Sequence, residues 1–193
     1  VQAMYPNGFQ TVVTLPTVAR RWEGEMRPHH FSGVATVVTK LFGIVRPQVA
    51  LFGQKDFQQS ALVQQLVKDL NLGVEIVVCP TVRETDGLAM SSRNIYLSQE
   101  DRKRAVTLYK SLRAGAGVIR RGVTDGKAVQ SAMAHVLKKE PAMMIDYLAL
   151  CDPSTLEPLC DVTSRVVLLG AVRIGSVRLI DNLLVTLPRR SSK

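Results

Sequence analysis

Aromatic residues, cysteines and long apolar runs are all scarce in this 193-residue sequence, and each scarcity removes a class of function. Aromatics make up 5% of the chain and no basic stretch is interleaved with them. That argues against a stacking platform for single-stranded nucleic acid. The three cysteines, Cys79, Cys151 and Cys160, fall in no metal-ligand spacing and build no disulfide framework, so they read as reduced thiols of a cytoplasmic protein. No apolar run approaches the roughly 20 residues a membrane helix needs. Even Val162 to Ile174 is broken by Ser164, Arg165 and Arg173, and no membrane association is expected. The opening residues Val1 to Gly8 have no initiating Met, no charged start and no apolar signal core, so the sequence reads as the middle of something longer.

What is present suits a globular protein. The hydrophobic content is 46% against 21% charged, enough for one sizeable core or two small ones. Lys and Arg exceed Asp and Glu to give a net charge of +9, which favours an anionic partner. Nucleic acid, nucleotide and acidic metabolite all satisfy that requirement.

Periodicity predicts alternating elements in the first half. Phe9 to Leu15 reads as a β-branched strand and Trp22 as a core residue. A helix capped by Ser32 runs to Pro47 with Val34, Val37, Val38, Leu41 and Val45 on its buried face. Gln48 to Phe52 reads as a buried strand, Asp56 to Leu70 as a helix closed by Asn71-Leu72-Gly73, and Val74 to Val78 as a second strand. Strand, helix, strand at this spacing predicts a right-handed parallel βαβ unit.

Thr81 to Asn94 reads as a loop between two bodies. Beyond it, one helix from Ser98 through Ile119 and another from Asp125 or Gly126 precede strands at Ile145 to Leu150, Arg165 to Leu169 and Ser176 to Ile180. The fold class expected is α/β, a partial Rossmann-like nucleotidyltransferase sheet over residues 1–88 followed by a small α+β domain over 89–188 and a tail at 189–193.

Chemistry concentrates at Phe52-Gly53-Gln54-Lys55-Asp56-Phe57-Gln58-Gln59, where a strand turns into a helix. Ligands of open parallel sheets bind at such a place, at carboxyl ends of strands and over helix N-termini. Gly53 admits close backbone approach, and the Lys55 ammonium can reach phosphate oxygens. Asp56 either caps the helix or accepts from ribose hydroxyls; Lys55 is either an anion reader or an ordinary surface residue. Ser91, Ser92 and Arg93 pair two hydroxyls with a planar guanidinium, a set suited to polyphosphate, or else belong to a solvated linker. Together the two clusters suggest a nucleotide clamp. Adjacent His29 and His30 cannot share a helix face, and no metal site is assigned.

Four motifs in order now carry a resemblance: Arg27-Pro28-His29-His30-Phe31-Ser32-Gly33-Val34, the octet at Phe52, Val82 to Asn94, and Arg178-Leu179-Ile180-Asp181-Asn182. With them the chain resembles the pantothenate synthetase (pantoate–β-alanine ligase) family. The resemblance implies ATP-dependent ligation of pantoate and β-alanine through a pantoyl adenylate, with Mg²⁺, in a cytoplasmic homodimer. It implies ATP binding by Gly53, Gln54, Lys55, Asp56, Val82, Met90, Ser91, Ser92 and Arg93. Lys55 and Arg93 would be catalytic, Gln59 would bind pantoate, and Val34, Val37 and Val38 would line the cavity. Gln54 stands where the family usually has Glu, and His29 where it commonly has Gly.

The family's Gly- and His-containing ATP motif and its magnesium-binding residues have no counterpart after Val1. The resemblance therefore implies the C-terminal two-thirds of such an enzyme, lacking the N-terminal motif and inactive alone. The rivals are another adenylate-forming nucleotidyltransferase and, on net charge only, a basic nucleic-acid-binding domain.

Overall fold

A computed structural model describes residues 2–188, so the expected tail at 189–193 lies outside the described residues. The chain divides into two units, Val1–Pro80 and Thr81–Lys193.

In the first unit, a short helix α1 (Glu23–Met26) precedes α2 (His30–Val45), strand β1 (Val49–Gly53), helix α3 (Phe57–Asp69) and strand β2 (Glu75–Cys79). The strands pair in parallel with Val49 opposite Glu75 and Gly53 opposite Cys79, which is the βαβ unit expected. Ala50 and Phe52 alternate with exposed neighbours, as do Ile76 and Val78, and α3 packs on the sheet. The other face carries Val49 and Leu51, both exposed.

The end of α3 follows from local chemistry. Asn71 takes a left-handed φ of 50°, and the Leu72 N–H returns to the Val67 carbonyl at 3.0 Å. A short polar side chain tolerates that conformation, so Asn71 here does what glycine usually does at a helix end.

Four local expectations are corrected in this unit. Phe9 to Leu15 forms no strand: the Val13 N–H donates to Thr36 Oγ at 3.0 Å instead of to a ladder partner. β propensity needs a neighbouring strand to act on, and none pairs here among the described residues. Ser32 is not the cap of α2; it lies inside the first turn and its hydroxyl donates to the His29 carbonyl at 2.8 Å. The buried stripe of α2 is Phe31, Ala35, Val38 and Phe42, while Leu41 and Val45 face outward. The two phenylalanines carry the larger apolar area and set the face. Trp22 is half-buried rather than core.

In the second unit, α4 (Gln99–Ala105), α5 (Thr107–Arg120) and α6 (Gly126–Leu137) precede an antiparallel sheet of β3 (Met143–Cys151), β4 (Arg165–Ile174) and β5 (Val177–Thr186) in the order β3-β4-β5. The expected single helix is two segments, broken at Val106. Ser98 caps α4 by accepting from Asp101 N–H at 3.0 Å, and Asp125 caps α6 by accepting from Lys127 N–H at 2.9 Å. β4 is almost wholly buried, and Leu112, Ile119, Met133, Leu150 and Leu168 close the core between sheet and helices. β4 and β5 pair without interruption from Arg165–Thr186 to Ile174–Val177, which places Asp181 opposite Gly170.

Candidate functional site

In the first unit, β1 delivers the chain at Gly53 into a single 3-10 turn, Gln54–Asp56, before α3 begins. The Ser60 hydroxyl, one turn into α3, donates to the Gly53 carbonyl at 3.1 Å and ties the strand end to the helix. Lys55 is mostly buried and its Nζ lies 3.6 Å from Asp56 Oδ1. Asp56 occupies the cap position without making a side-chain capping bond, so the capping alternative is not realised. A Cβ added to Gly53 would meet nothing within 4 Å, so the backbone there is open to an approaching ligand.

Adjacent glutamines at the start of α3 have separate surroundings. Gln58 is buried: its amide donates to the carbonyls of Val18 at 2.8 Å and Arg21 at 2.9 Å, and its oxygen accepts from Glu23 N–H at 3.1 Å. Gln59 is half-buried. The sequence reading did not single out Gln58 as an anchor, and a single chain carries no signal that separates it from Gln59.

Val38 is buried in the face of α2, whereas Val34 and Val37 are half-buried. A cavity of about 360 Å³ lies beside this helix, lined in part by Leu15, Ala19, Arg27, His29, Phe31 and Ser32. His29 holds a left-handed φ of 68°, a conformation that costs a histidine more than a glycine. The Arg27 guanidinium lies 3.1 Å from His30 Nε2.

In the second unit the loop after β2 is a tight hairpin-like excursion. Arg83 bridges Ala89, Met90 N–H donates to Val82 O at 3.0 Å, and Glu84 N–H donates to Leu88 O at 2.8 Å. Val82 and Met90 present exposed side chains at its base. Ser91 then caps a 3-10 turn, Ser92–Tyr96, with its Oγ accepting from Arg93 N–H at 3.2 Å. Ser92 and Arg93 are exposed at the turn's start. A cavity of about 590 Å³ is lined by Glu84, Met90, Ser91, Ser92, Asn94, Ile95 and Arg102.

Glu84, Asn94 and Arg102 are additions that sequence reasoning missed. The Asn94 amide donates to Ala89 O at 3.1 Å, while its buried Oδ1 has no hydrogen-bond partner among the described residues. Arg102 donates to both oxygens of Asp86, at 2.7 and 3.3 Å, and holds that carboxyl below the usual carboxylate range, helped by the Leu88 N–H. Arg102 is raised in turn by Asp86.

Among the described residues no group of three or more His, Cys, Asp or Glu side chains is placed to hold a metal ion, and no helix is long and apolar enough to cross a membrane.

A family model described as pantoate-beta-alanine ligase matches residues 1–184. The chain belongs to this family. It is 49% identical over 185 residues to a pantothenate synthetase of Acetivibrio thermocellus, covering 96% of this chain and 66% of that protein. It is 50% identical, with the same coverage, to one from Caldicellulosiruptor bescii. A crystal structure of the Thermus thermophilus enzyme superimposes with a TM-score of 0.91 at 47% identity, over 94% of this chain and 66% of that one. A Francisella tularensis ligase, complexed with beta-gamma ATP and beta-alanine, gives a TM-score of 0.69 at 34% identity over 95% of this chain. The α/β architecture expected from the resemblance is that of the family.

These matches correct one expectation. The likeness is not limited to a C-terminal two-thirds piece defined by a missing N-terminal motif: it runs over 96% of this chain, and the family match begins at residue 1. The chain spans 66% of the length of the curated relatives named above.

Proposed function

We propose that the protein is an ATP-dependent ligase that joins pantoate to β-alanine. Membership of the family over residues 1–184 carries this reading. In the first step a pantoate carboxylate oxygen attacks the α-phosphorus of ATP, the bond to the pyrophosphate oxygen breaks, and pantoyl adenylate forms. In the second, the β-alanine amine attacks the acyl carbon, the bond to the AMP oxygen breaks, and the amine gives up a proton to solvent as the amide forms.

No covalent nucleophile is required, so the protein contributes position and charge. Gly53, Gln54, Lys55 and Asp56 of the first unit contact ATP in this reading, as do Val82, Met90, Ser91, Ser92 and Arg93 of the second. Lys55 and Arg93 stabilise charge building on the phosphoryl oxygens, and Gln59 accepts pantoate. Supporting this are the Gly53 backbone open to approach and the exposed start of the Ser92 turn. Val34, Val37 and Val38 line the pocket for the pantoyl group and the nucleotide.

The described residues do not build a cage for Mg²⁺. No residue of this chain is assigned to Mg²⁺; the ion would accompany the nucleotide and would supply positive charge against the charge developing on its phosphates. The reading extends to a cytoplasmic homodimer; Cys79, Cys151 and Cys160, which form no disulfide among the described residues, agree with a reducing compartment.

Pantoate-dependent exchange of labelled pyrophosphate into ATP tests the proposal against a panel of other carboxylic acids. Strong preference for pantoate is the result expected. Equal exchange with unrelated acids would indicate another adenylate-forming transferase.

A further inference from the structure

We propose that Arg83 and Asp181 form a positioning pair for the nucleotide, an inference that rests on the functional reading above. Neither residue was assigned a role by sequence or resemblance. Arg83 Nη1 donates to Asp181 Oδ2 at 2.6 Å and Nη2 to Oδ1 at 2.9 Å, a two-pronged pair. The same guanidinium donates to the Gly87 carbonyl at 3.1 Å and the Asn182 carbonyl at 3.3 Å, and its centre stacks 3.9 Å from the Tyr109 ring. The Asp181 side chain is 4% exposed and also accepts from Asn182 N–H at 2.8 Å.

A buried ion pair is a poor source of net stability, because desolvation offsets most of the attraction. What this one does is fix geometry. Arg83 follows Val82 directly, and its bridge partner Ala89 precedes Met90, whose N–H closes on Val82 O. Locking Arg83 to β5 therefore locks the backbone of both residues and the approach to Ser91. The charged fork thus roots the loop's own hydrogen bonds, and with them its ATP-facing groups, in a sheet. A lysine could not reproduce this, since it lacks the planar fork and the stacking face.

The test compares Arg83→Lys, Arg83→Met and Asp181→Asn with the wild-type protein, by steady-state kinetics in each substrate and by amide exchange across residues 82–90. Displacement of a positioned ligand by about 1 Å can cost on the order of 100-fold. We expect KM for ATP to rise about tenfold or more while KM for β-alanine stays within about twofold. The Met90 amide should exchange faster, and Arg83→Lys should not rescue. Folded variants with an unchanged KM for ATP, whatever their kcat, would overturn the inference. If Arg83→Met does not fold, the two milder variants give the same readout. Absence of pantoate-dependent exchange in the wild-type protein would overturn the functional reading and this inference with it; normal wild-type exchange with an unmoved ATP KM overturns the inference alone.

Discussion

A Cβ placed on Gly87 would lie 2.4 Å from Cδ1 of Tyr109, the ring on whose face Arg83 is stacked. Gly87 also has a φ of +99°, outside what an L side chain adopts readily. Glycine is required here twice over, by conformation and by close approach.

Gly87→Ala is therefore expected to lower stability by about 2–4 kcal/mol, combining backbone strain with overpacking. Gly43→Ala makes the control: that glycine lies in α2 with nothing within 4 Å of an added Cβ. There alanine should stabilise by about 0.5–1 kcal/mol. Urea denaturation of the two variants checks the contrast, and equal effects would sink it.

Lys55→Ala is expected to reduce pantoyl adenylate formation by about 100-fold or more, as removal of a charge-stabilising donor does. The ion pair lost with Asp56, 3.6 Å long and with a half-exposed carboxylate, should itself account for less than about 1 kcal/mol of stability. Near-wild-type adenylate production would remove Lys55 from the catalytic set.

Gln58 and Gln59 should separate stability from binding. Gln58→Ala strips two carbonyls and one N–H of their partners and is expected to cost about 2–4 kcal/mol. Gln59→Ala should leave the melting temperature nearly unchanged and raise KM for pantoate. Reversed behaviour of the two variants would assign the roles the other way round.

The Asp86–Arg102 contact predicts an acid-side effect. The folded carboxyl lies below its ordinary value because Arg102 and then Leu88 N–H bond to it. Its stabilisation is thus fully present above the unfolded carboxylate value, about 4, and is lost as pH falls through the lowered folded value. For a pair this exposed the contribution should be under about 1 kcal/mol. The stability difference between wild type and Asp86→Asn should hold steady near neutrality and close below about pH 4. A difference that grows with acid would contradict the assignment.

Much of the architecture was legible because it was written locally. The Asn71-Leu72-Gly73 stop of α3 and the caps Ser98 and Asp125 each depend on residues within one turn of themselves. The buried face of α2 was misread for the opposite reason. That helix is apolar nearly all round, so only its neighbours decide which stripe is covered. Phe9 to Leu15 failed similarly, since a strand needs a partner that no local pattern can promise.

For the proposed site, the sequence alone supplied the candidate groups: a glycine, a lysine and a carboxylate at a strand-to-helix turn, and two serines with an arginine on a polar loop. These are choices of functional group and spacing along a few residues, and they survive without knowledge of the rest of the chain. Only the tertiary structure decided what holds the loop in place. Arg83 and Asp181 are 98 positions apart, and nothing in either neighbourhood names the other. Their pairing exists because β5 runs antiparallel to β4 and sets Asp181, buried, where the Arg83 fork can bond it.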